Sequence, residues 1–264
     1  MTIRNTEVRE LHSQIVNEDY RIDVKLPPSY ASSDLAYPII YAVDADRGFP
    51  LVANISQFLE FPADHVAESI IVAIGYQDLR DMGDWAVWRT RDLTPTQNER
   101  VEQYWEDRIK KRFGRDVAVE SGGAGSFYQF MAQELIPFIE QEYRTSGFKA
   151  LTGYSYGGLF CLYVLFTRPE TFDAYFAGSP SLDYDDGVLF RYESAYAQKH
   201  DDLPVRLFMT SGSREEGLAD LERMARRLRG YPGLKMDVSI LAGGTHVTAV
   251  PQAWTEALLF LIGK

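Results

Sequence analysis

The sequence predicts an α/β fold, a mostly parallel central sheet with helices on both faces and an antiparallel hairpin at its N-terminal edge. Three observations carry this. Short apolar runs alternate with segments of helical period over the C-terminal two thirds of the chain, the order produced when each parallel strand returns by a crossover. Thr6 to Ser13 and Tyr20 to Leu26 read as two strands around Asn17-Glu18-Asp19, with alternation in Tyr20, Ile22, Val24 and Leu26. At Phe148 to Phe160, FKALTGYSYGGLF passes from the end of a buried strand directly into a helix.

The remaining elements follow in order. Pro27-Pro28-Ser29-Tyr30 ends the second strand. Pro38 to Val43 reads as a central strand opening into a loop at Asp44-Ala45-Asp46, Leu51 to Phe61 as a helix and Ser69 to Ile74 as a buried strand. A long polar and aromatic segment, Gln77 to Gly125, precedes a strongly periodic helix over Ser126 to Tyr143. After the serine turn come a strand at Phe172 to Ala177, a helical region at Leu189 to Ala197 and a strand at Val205 to Thr210. A helix at Leu218 to Arg229, a strand at Met236 to Leu241 and a closing helix at Val250 to Ile262 complete the chain.

Composition sets the bounds. With 264 residues, 45% of them hydrophobic, one large α/β domain over residues 1–264 is expected rather than two small ones. The net charge of -11 argues against nucleic acid and anionic membrane surfaces as partners. No apolar run reaches the length of a membrane span, and MTIRNTEVRE lacks a signal peptide's apolar core. The expectation is a soluble, cytoplasmic protein. The single cysteine, Cys161, lies on the buried-looking helix and reads as inert packing.

Gly153-Tyr154-Ser155-Tyr156-Gly157 is a G-x-S-x-G pattern. Three fixed small residues recur by chance in about one chain in ten of this size, so the strand before and the helix after carry the signal. A turn this sharp strains the serine and presents its hydroxyl at the sheet edge, between glycines that let strand and helix meet. A serine hydroxyl needs a base, and histidine serves at neutral pH. Of His12, His65, His200 and His246, the first two precede Ser155 and break the order serine, acid, histidine. His200 sits in a polar stretch, while His246 follows the last strand in Gly243-Gly244-Thr245-His246. The acid is expected after a strand between the two. Glu215, with Glu216 next to it, follows Val205 to Thr210, and Asp183, Asp185 and Asp186 compete from an earlier strand. For the oxyanion, the backbone N–H of Tyr156 is one expected donor and that of Ala45 the other.

These pieces resemble the Putative esterase (esterase D-like) family of α/β-hydrolases, in its bacterial branch that includes siderophore esterases. The matching stretches are Tyr37 to Asp44, Arg89-Thr-Arg-Asp-Leu-Thr-Pro95, Gly122 to Phe127, Glu134 to Glu140, Gly153 to Gly158, Ser179-Pro-Ser-Leu182 and the Gly-Thr-His246 region. They span nearly the whole chain in the family's order. The resemblance implies an α/β-hydrolase fold, Ser155 as nucleophile, His246 as base and Glu215 as acid. It implies a small-molecule ester as partner, with no cofactor and no metal. The family often has glycine after the aspartate, where this chain has Asp44-Ala45. Members cleave siderophore lactones, thioesters or simple esters. A serine esterase acting through an acyl-enzyme is therefore expected, against an acyltransferase or thioesterase with the same triad and a non-catalytic ligand-binding homologue.

Residues 77–125 are too long for an ordinary connection and read as a lid or substrate wall. From Arg80 to Asp116 there are nine Lys and Arg against eight Asp and Glu, so this stretch is +1 while the rest is -12. It also holds Trp85, Trp88 and Trp105, three of the four tryptophans. Trp88, Arg89 and Arg91 are the expected contacts to an aromatic, negatively charged substrate.

Overall fold

A computed structural model describes residues 3–264. Its N-terminal hairpin is β1 (Thr6–Ser13) and β2 (Glu18–Lys25). Ser13 pairs with Glu18, so Glu18 and Asp19, expected in the turn, are already strand. The reversal ends two residues earlier because Asn17 adopts φ 59°, a left-handed conformation that asparagine tolerates.

The chain continues through β3 (Tyr37–Val43), α1 (Ala45–Glu60), β4 (Ile70–Tyr76), α2 (Met82–Leu93) and α3 (Glu99–Phe113). Next come α4 (Ala124–Phe130), a π turn (Met131–Leu135), α5 (Ile136–Glu142), β5 (Thr145–Tyr154) and α6 (Tyr156–Thr167). The C-terminal part is β6 (Ala174–Gly178), α7 (Tyr184–Ala197), β7 (Arg206–Gly212), α8 (Leu218–Leu228), β8 (Lys235–Leu241) and α9 (Val250–Ile262). All eight strands form one sheet in the order β1-β2-β4-β3-β5-β6-β7-β8. The β1–β2 and β2–β4 pairs are antiparallel and the rest parallel.

The strands carry apolar residues on both faces, as a doubly covered sheet requires. In β3, Ile39, Tyr41 and Val43 face the core shared with α4, α6 and α8, whereas Ile40 and Ala42 face α1 and α9. Phe176 and Phe208 add to this second layer, with Phe176 edge-on to Trp254 of α9 at a 5.1 Å ring separation. Cys161 is fully buried, and burial pushes its thiol well above the ordinary range.

Three expectations from sequence are corrected. Asp44-Ala45-Asp46 is not a loop: Asp44 turns the chain at φ 62° and ψ 41°, and α1 begins at Ala45, six residues before the expected start. Pro50 looks like a boundary, but within the early turns of α1 it merely leaves the Asp46 carbonyl without a helical donor. The expected helix over Ser126 to Tyr143 starts at Ala124 and widens to a π turn, where the Ile136 N–H reaches back to the Met131 carbonyl. Pro137 gives the reason, since it cannot donate to Gln133 and its ring crowds that carbonyl. Finally, α7 begins at Tyr184 rather than Leu189, with Asp185, Asp186 and Gly187 all at positive φ in its first turn.

Candidate active site

The end of β5 and the start of α6 leave Ser155 alone to make the turn, at φ 61° and ψ -117°. Such a conformation costs a non-glycine residue about 1–3 kcal/mol and persists only when the surroundings hold it. Here the Ser155 N–H donates to the Gly178 carbonyl at 2.8 Å, and the Ser155 carbonyl accepts from the Leu159 N–H at 2.9 Å. The apolar residues Leu159 to Leu165 along α6 are buried, apart from partly exposed Tyr163, and anchor the turn from behind. A β-carbon at position 153 would lie 2.4 Å from the Gly157 carbonyl carbon, and one at 157 would lie 2.8 Å from Val43 Cγ2. Both glycines are required by this close approach.

His246 and Glu215 come from the loops after β8 and β7, which neighbour each other in the sheet. Glu215 Oε2 accepts from His246 Nδ1 at 2.7 Å. Since a carboxylate only accepts, Nδ1 carries the proton and Nε2 presents its lone pair. The other carboxylate oxygen, Oε1, accepts from the Gly212 N–H at 2.6 Å and lies 2.8 Å from Ser179 Oγ. Ser179 Oγ is also 2.7 Å from the Tyr154 hydroxyl. Having one proton, it donates to the charged carboxylate and accepts from Tyr154. Burial pushes the Tyr154 phenol up to about 12, helped by the Glu215 charge, so it keeps its proton. A β-carbon at Gly212 would lie 2.4 Å from the Gly244 carbonyl oxygen, so glycine there lets the two loops meet.

The competing acids are committed or exposed. Asp185 accepts from Thr96 Oγ1 at 2.8 Å and pairs with Arg191 at 3.0 Å, Asp186 belongs to the left-handed turn of α7, and Asp183 is exposed just before that helix, its side chain making no capping bond. Glu216 is exposed. His12 bonds Asp19 and His200 stacks on Tyr196.

Ser155 and His246 line one cleft of about 660 Å³. Val43, Asp44, Arg47, Gly48 and Leu51 close it from the β3–α1 side, and Val247, Val250, Pro251 and Trp254 from the start of α9. Trp85 and Arg89 of α2, with Tyr104 and Trp105 of α3, form the remaining wall. Ala45 and Tyr156 are the first residues of α1 and α6, and N–H groups there have no intrahelical acceptor. Among the described residues no group of three or more His, Cys, Asp and Glu is placed to hold a metal ion.

The three residues expected to meet substrate are placed differently. Arg89 lines the cleft but is buried and committed, its Nε and Nη2 clamping both Asp44 oxygens at 2.9 and 2.8 Å. Its guanidinium lies between Trp85 and Tyr156, 4.5 and 4.8 Å from the ring centres. Burial works against its charge, yet the Asp44 carboxylate outweighs it and raises the pKa. Trp88 and Arg91 do not line the cleft. Arg91 bonds Asp92 at 2.7 Å and Glu18 at 2.9 Å, and stacks on Trp88 at 4.7 Å. Trp85 and Arg89, four apart, share one helical face, and Trp88 and Arg91, three apart, share another. Sequence spacing shows both faces but not which one the cleft receives. Ser179 and Tyr154 are functional neighbours that sequence reasoning missed, although both belong to the quoted motifs.

An eight-stranded sheet in this order, with a strained serine between the fifth strand and the following helix, is the α/β-hydrolase architecture. The chain belongs to the family described as "Putative esterase", whose match covers residues 13–114 and 109–225. It is 28% identical over 274 residues to the ferri-bacillibactin esterase BesA of Bacillus subtilis (strain 168), covering 99% of this chain and 91% of that protein. It is 32% identical over 208 residues to a siderophore enterobactin esterase of Emericella nidulans, covering 75% of this chain and 66% of the relative. The solved BES protein from Bacillus cereus superposes with a TM-score of 0.83 at 25% identity, covering 100% of this chain and 98% of that one. Together these make the chain a carboxylic ester hydrolase.

Proposed function

We propose that this protein is a serine esterase that opens the ester bonds of an iron-loaded siderophore through an acyl-enzyme. In this reading Ser155 attacks the ester carbonyl while His246 Nε2 takes its proton and later delivers it to the leaving alcohol. Glu215 holds the imidazole in the required tautomer and stabilises its charged form. The Tyr156 and Ala45 N–H groups, at the starts of two helices, steady the oxyanion. Water then releases the acyl group by the same route in reverse.

The observation that carries this reading is the 2.7 Å bond from His246 Nδ1 to a carboxylate itself held by Gly212 and Ser179, in the cleft that also contains Ser155. The siderophore part rests on relatives named for such substrates, and on a cleft walled by Trp85, Tyr104, Trp105 and Trp254. Residues 77–125 serve here as the substrate wall of a single domain, through α2 and α3.

The test is hydrolysis of a panel containing a short aryl ester, a thioester and a ferric trilactone siderophore, combined with fluorophosphonate labelling. Labelling at Ser155 with preferred turnover of the trilactone is expected. Absence of an adduct in folded protein would remove the nucleophile, and preferred turnover of the thioester would remove the siderophore assignment.

A further inference from the structure

The cleft has two unlike sides. Toward α2 and α3 it carries arginine, tryptophan and tyrosine, whereas its other side is made by Gly48 and Leu51 of α1 and by Val247, Val250, Pro251 and Trp254 at the start of α9. Apart from the Trp254 indole N–H, none of these six has a polar group on its side chain. The charged residues next to them in the chain turn elsewhere. Asp44 is clamped by Arg89, and the Arg47 guanidinium lies over the Trp85 ring, 5.1 Å from its centre. Val247 directly follows His246 and is 68% exposed, an apolar side chain left open in the cleft rather than tucked into the core.

Gly48 is the second observation. At five glycines an added β-carbon would meet nothing within 4 Å: Gly48, Gly114, Gly147, Gly217 and Gly243. Gly114, Gly147 and Gly243 have φ 71°, 90° and 72°, which favours glycine over other residues. Gly217 caps α8, a position where glycine is accepted. Gly48 has neither reason. It lies inside α1, donates to the Asp44 carbonyl at 3.0 Å and has no positive φ, so alanine there would strengthen the helix. The room left by its missing side chain belongs to the cleft. A bland account exists for each part alone, since one helical glycine costs little and single exposed apolar residues are normal. It does not explain why the unfilled position and the exposed Val247 border one apolar recess beside His246.

We propose that this side of the cleft is a subsite for an uncharged, aliphatic group on the leaving alcohol of the ester, received in the room at Gly48. In forming the acyl-enzyme, the bond from Ser155 Oγ to the carbonyl carbon is made as the bond from that carbon to the alcohol oxygen breaks. His246 Nε2 hands that oxygen the proton it took from Ser155. The alcohol therefore leaves on the side of the histidine, and the chain running from His246 into Val247 and Val250 lies there. The proposal deepens the esterase reading and rests on it for the bond cleaved.

Gly48→Leu fills the room with a good helix former, and Gly48→Ala fills it by one carbon. Two ratios of kcat/KM are read on the full chain. Hexyl acetate against ethyl acetate lengthens the alcohol, and ethyl hexanoate against ethyl acetate lengthens the acyl group. Gly48→Leu is expected to lower the first ratio about tenfold or more and to move the second less than about twofold, with Gly48→Ala in between and neither variant melting below wild type. Val247→Ser adds no bulk and should lower the first ratio about threefold through lost apolar contact, which keeps the test open if Gly48→Leu does not fold. Equal falls in both ratios, a fall in the second alone, or no change in the first would each overturn the proposal. Binding without turnover separates the subsite from the reaction. In the Ser155→Ala chain, adding Gly48→Leu should raise Kd for hexyl acetate about tenfold by NMR titration, and an unchanged Kd would overturn the subsite. Failure of the wild-type protein to hydrolyse any of these esters would instead remove the esterase reading while leaving the binding result standing.

Discussion

Ser179 grips the Glu215 oxygen that His246 does not use, and Tyr154 in turn grips Ser179. The Glu215 carboxylate is thus held by Ser179, Gly212 and His246 before any substrate arrives, which is what a fixed imidazole tautomer requires. Ser155→Ala is expected to lower kcat by on the order of 10⁴ or more with the fold retained; a rate near wild type would remove the nucleophile. Glu215→Gln should cost far more activity than Glu216→Gln or Asp183→Asn, because only Glu215 reaches His246. Steady-state kinetics on the three variants decides this, and a damaging Asp183→Asn would move the acid to the loop after β6. Arg89 acts through Asp44, the residue whose left-handed turn places the Ala45 N–H. Arg89→Met leaves a buried carboxylate without its partner, expected to cost about 3–5 kcal/mol of stability. Urea denaturation measures it, and a loss below 1 kcal/mol would show that the clamp is dispensable.

At the scale of elements, α2 divides its work between two faces. Trp85→Ala should depress kcat/KM for a bulky aromatic ester while sparing short acetate esters, since remote contacts lower the barrier only for substrates that reach them. Trp88→Ala should lower the melting temperature and leave the ratio of the two specificities intact. If Trp88→Ala shifts that ratio as strongly as Trp85→Ala, the wrong face has been assigned to the substrate. The start of α2 carries its own pH signature. Bonding to Arg80, and secondarily to Arg115, depresses the Asp84 carboxyl to about 2 against the opposing effect of burial. A depressed carboxyl contributes stability above its unfolded value near 3.9 and loses it as pH falls toward the folded one. Asp84→Asn should therefore cost about 2 kcal/mol at pH 7, a gap that shrinks between about pH 4 and pH 2. A gap independent of pH over that range would mean that shape rather than charge holds this helix start.

Taken whole, the molecule sets a wall of mixed charge from α2 and α3 against an acidic body, with Ser155 at their junction. This balance favours the approach of an anionic substrate at the wall over its approach to the acidic body. Raising ionic strength from about 0.01 M to about 1 M, which shortens the screening length from about 30 Å to about 3 Å, should lower kcat/KM for an anionic ester and leave that for a neutral one nearly constant. A salt response shared by both would point to a general effect on the enzyme.

The α/β class, the sheet's antiparallel edge and the serine turn were legible in the chain because each rests on local order: alternation, helical period, and glycines where backbones must touch. The pairing of Glu215 with His246 was half legible. Chain order ranked the candidates, but only the adjacency of β7 and β8 brings those two loops within 2.7 Å. What the sequence could not determine was direction. The pairs Trp85–Arg89 and Trp88–Arg91 have the same composition and both lie at helical spacing on different faces of one helix, and rotation of α2 about its axis decides which pair meets the cleft. Among the contacts that hold that rotation is the Asp44 carboxylate, 45 residues away in the chain and bonded to Arg89. The early start of α1 has the same origin. Asp44-Ala45-Asp46 has residue types common at a helix start, but the left-handed turn that begins this one is held by Arg89, a partner the sequence does not place beside it.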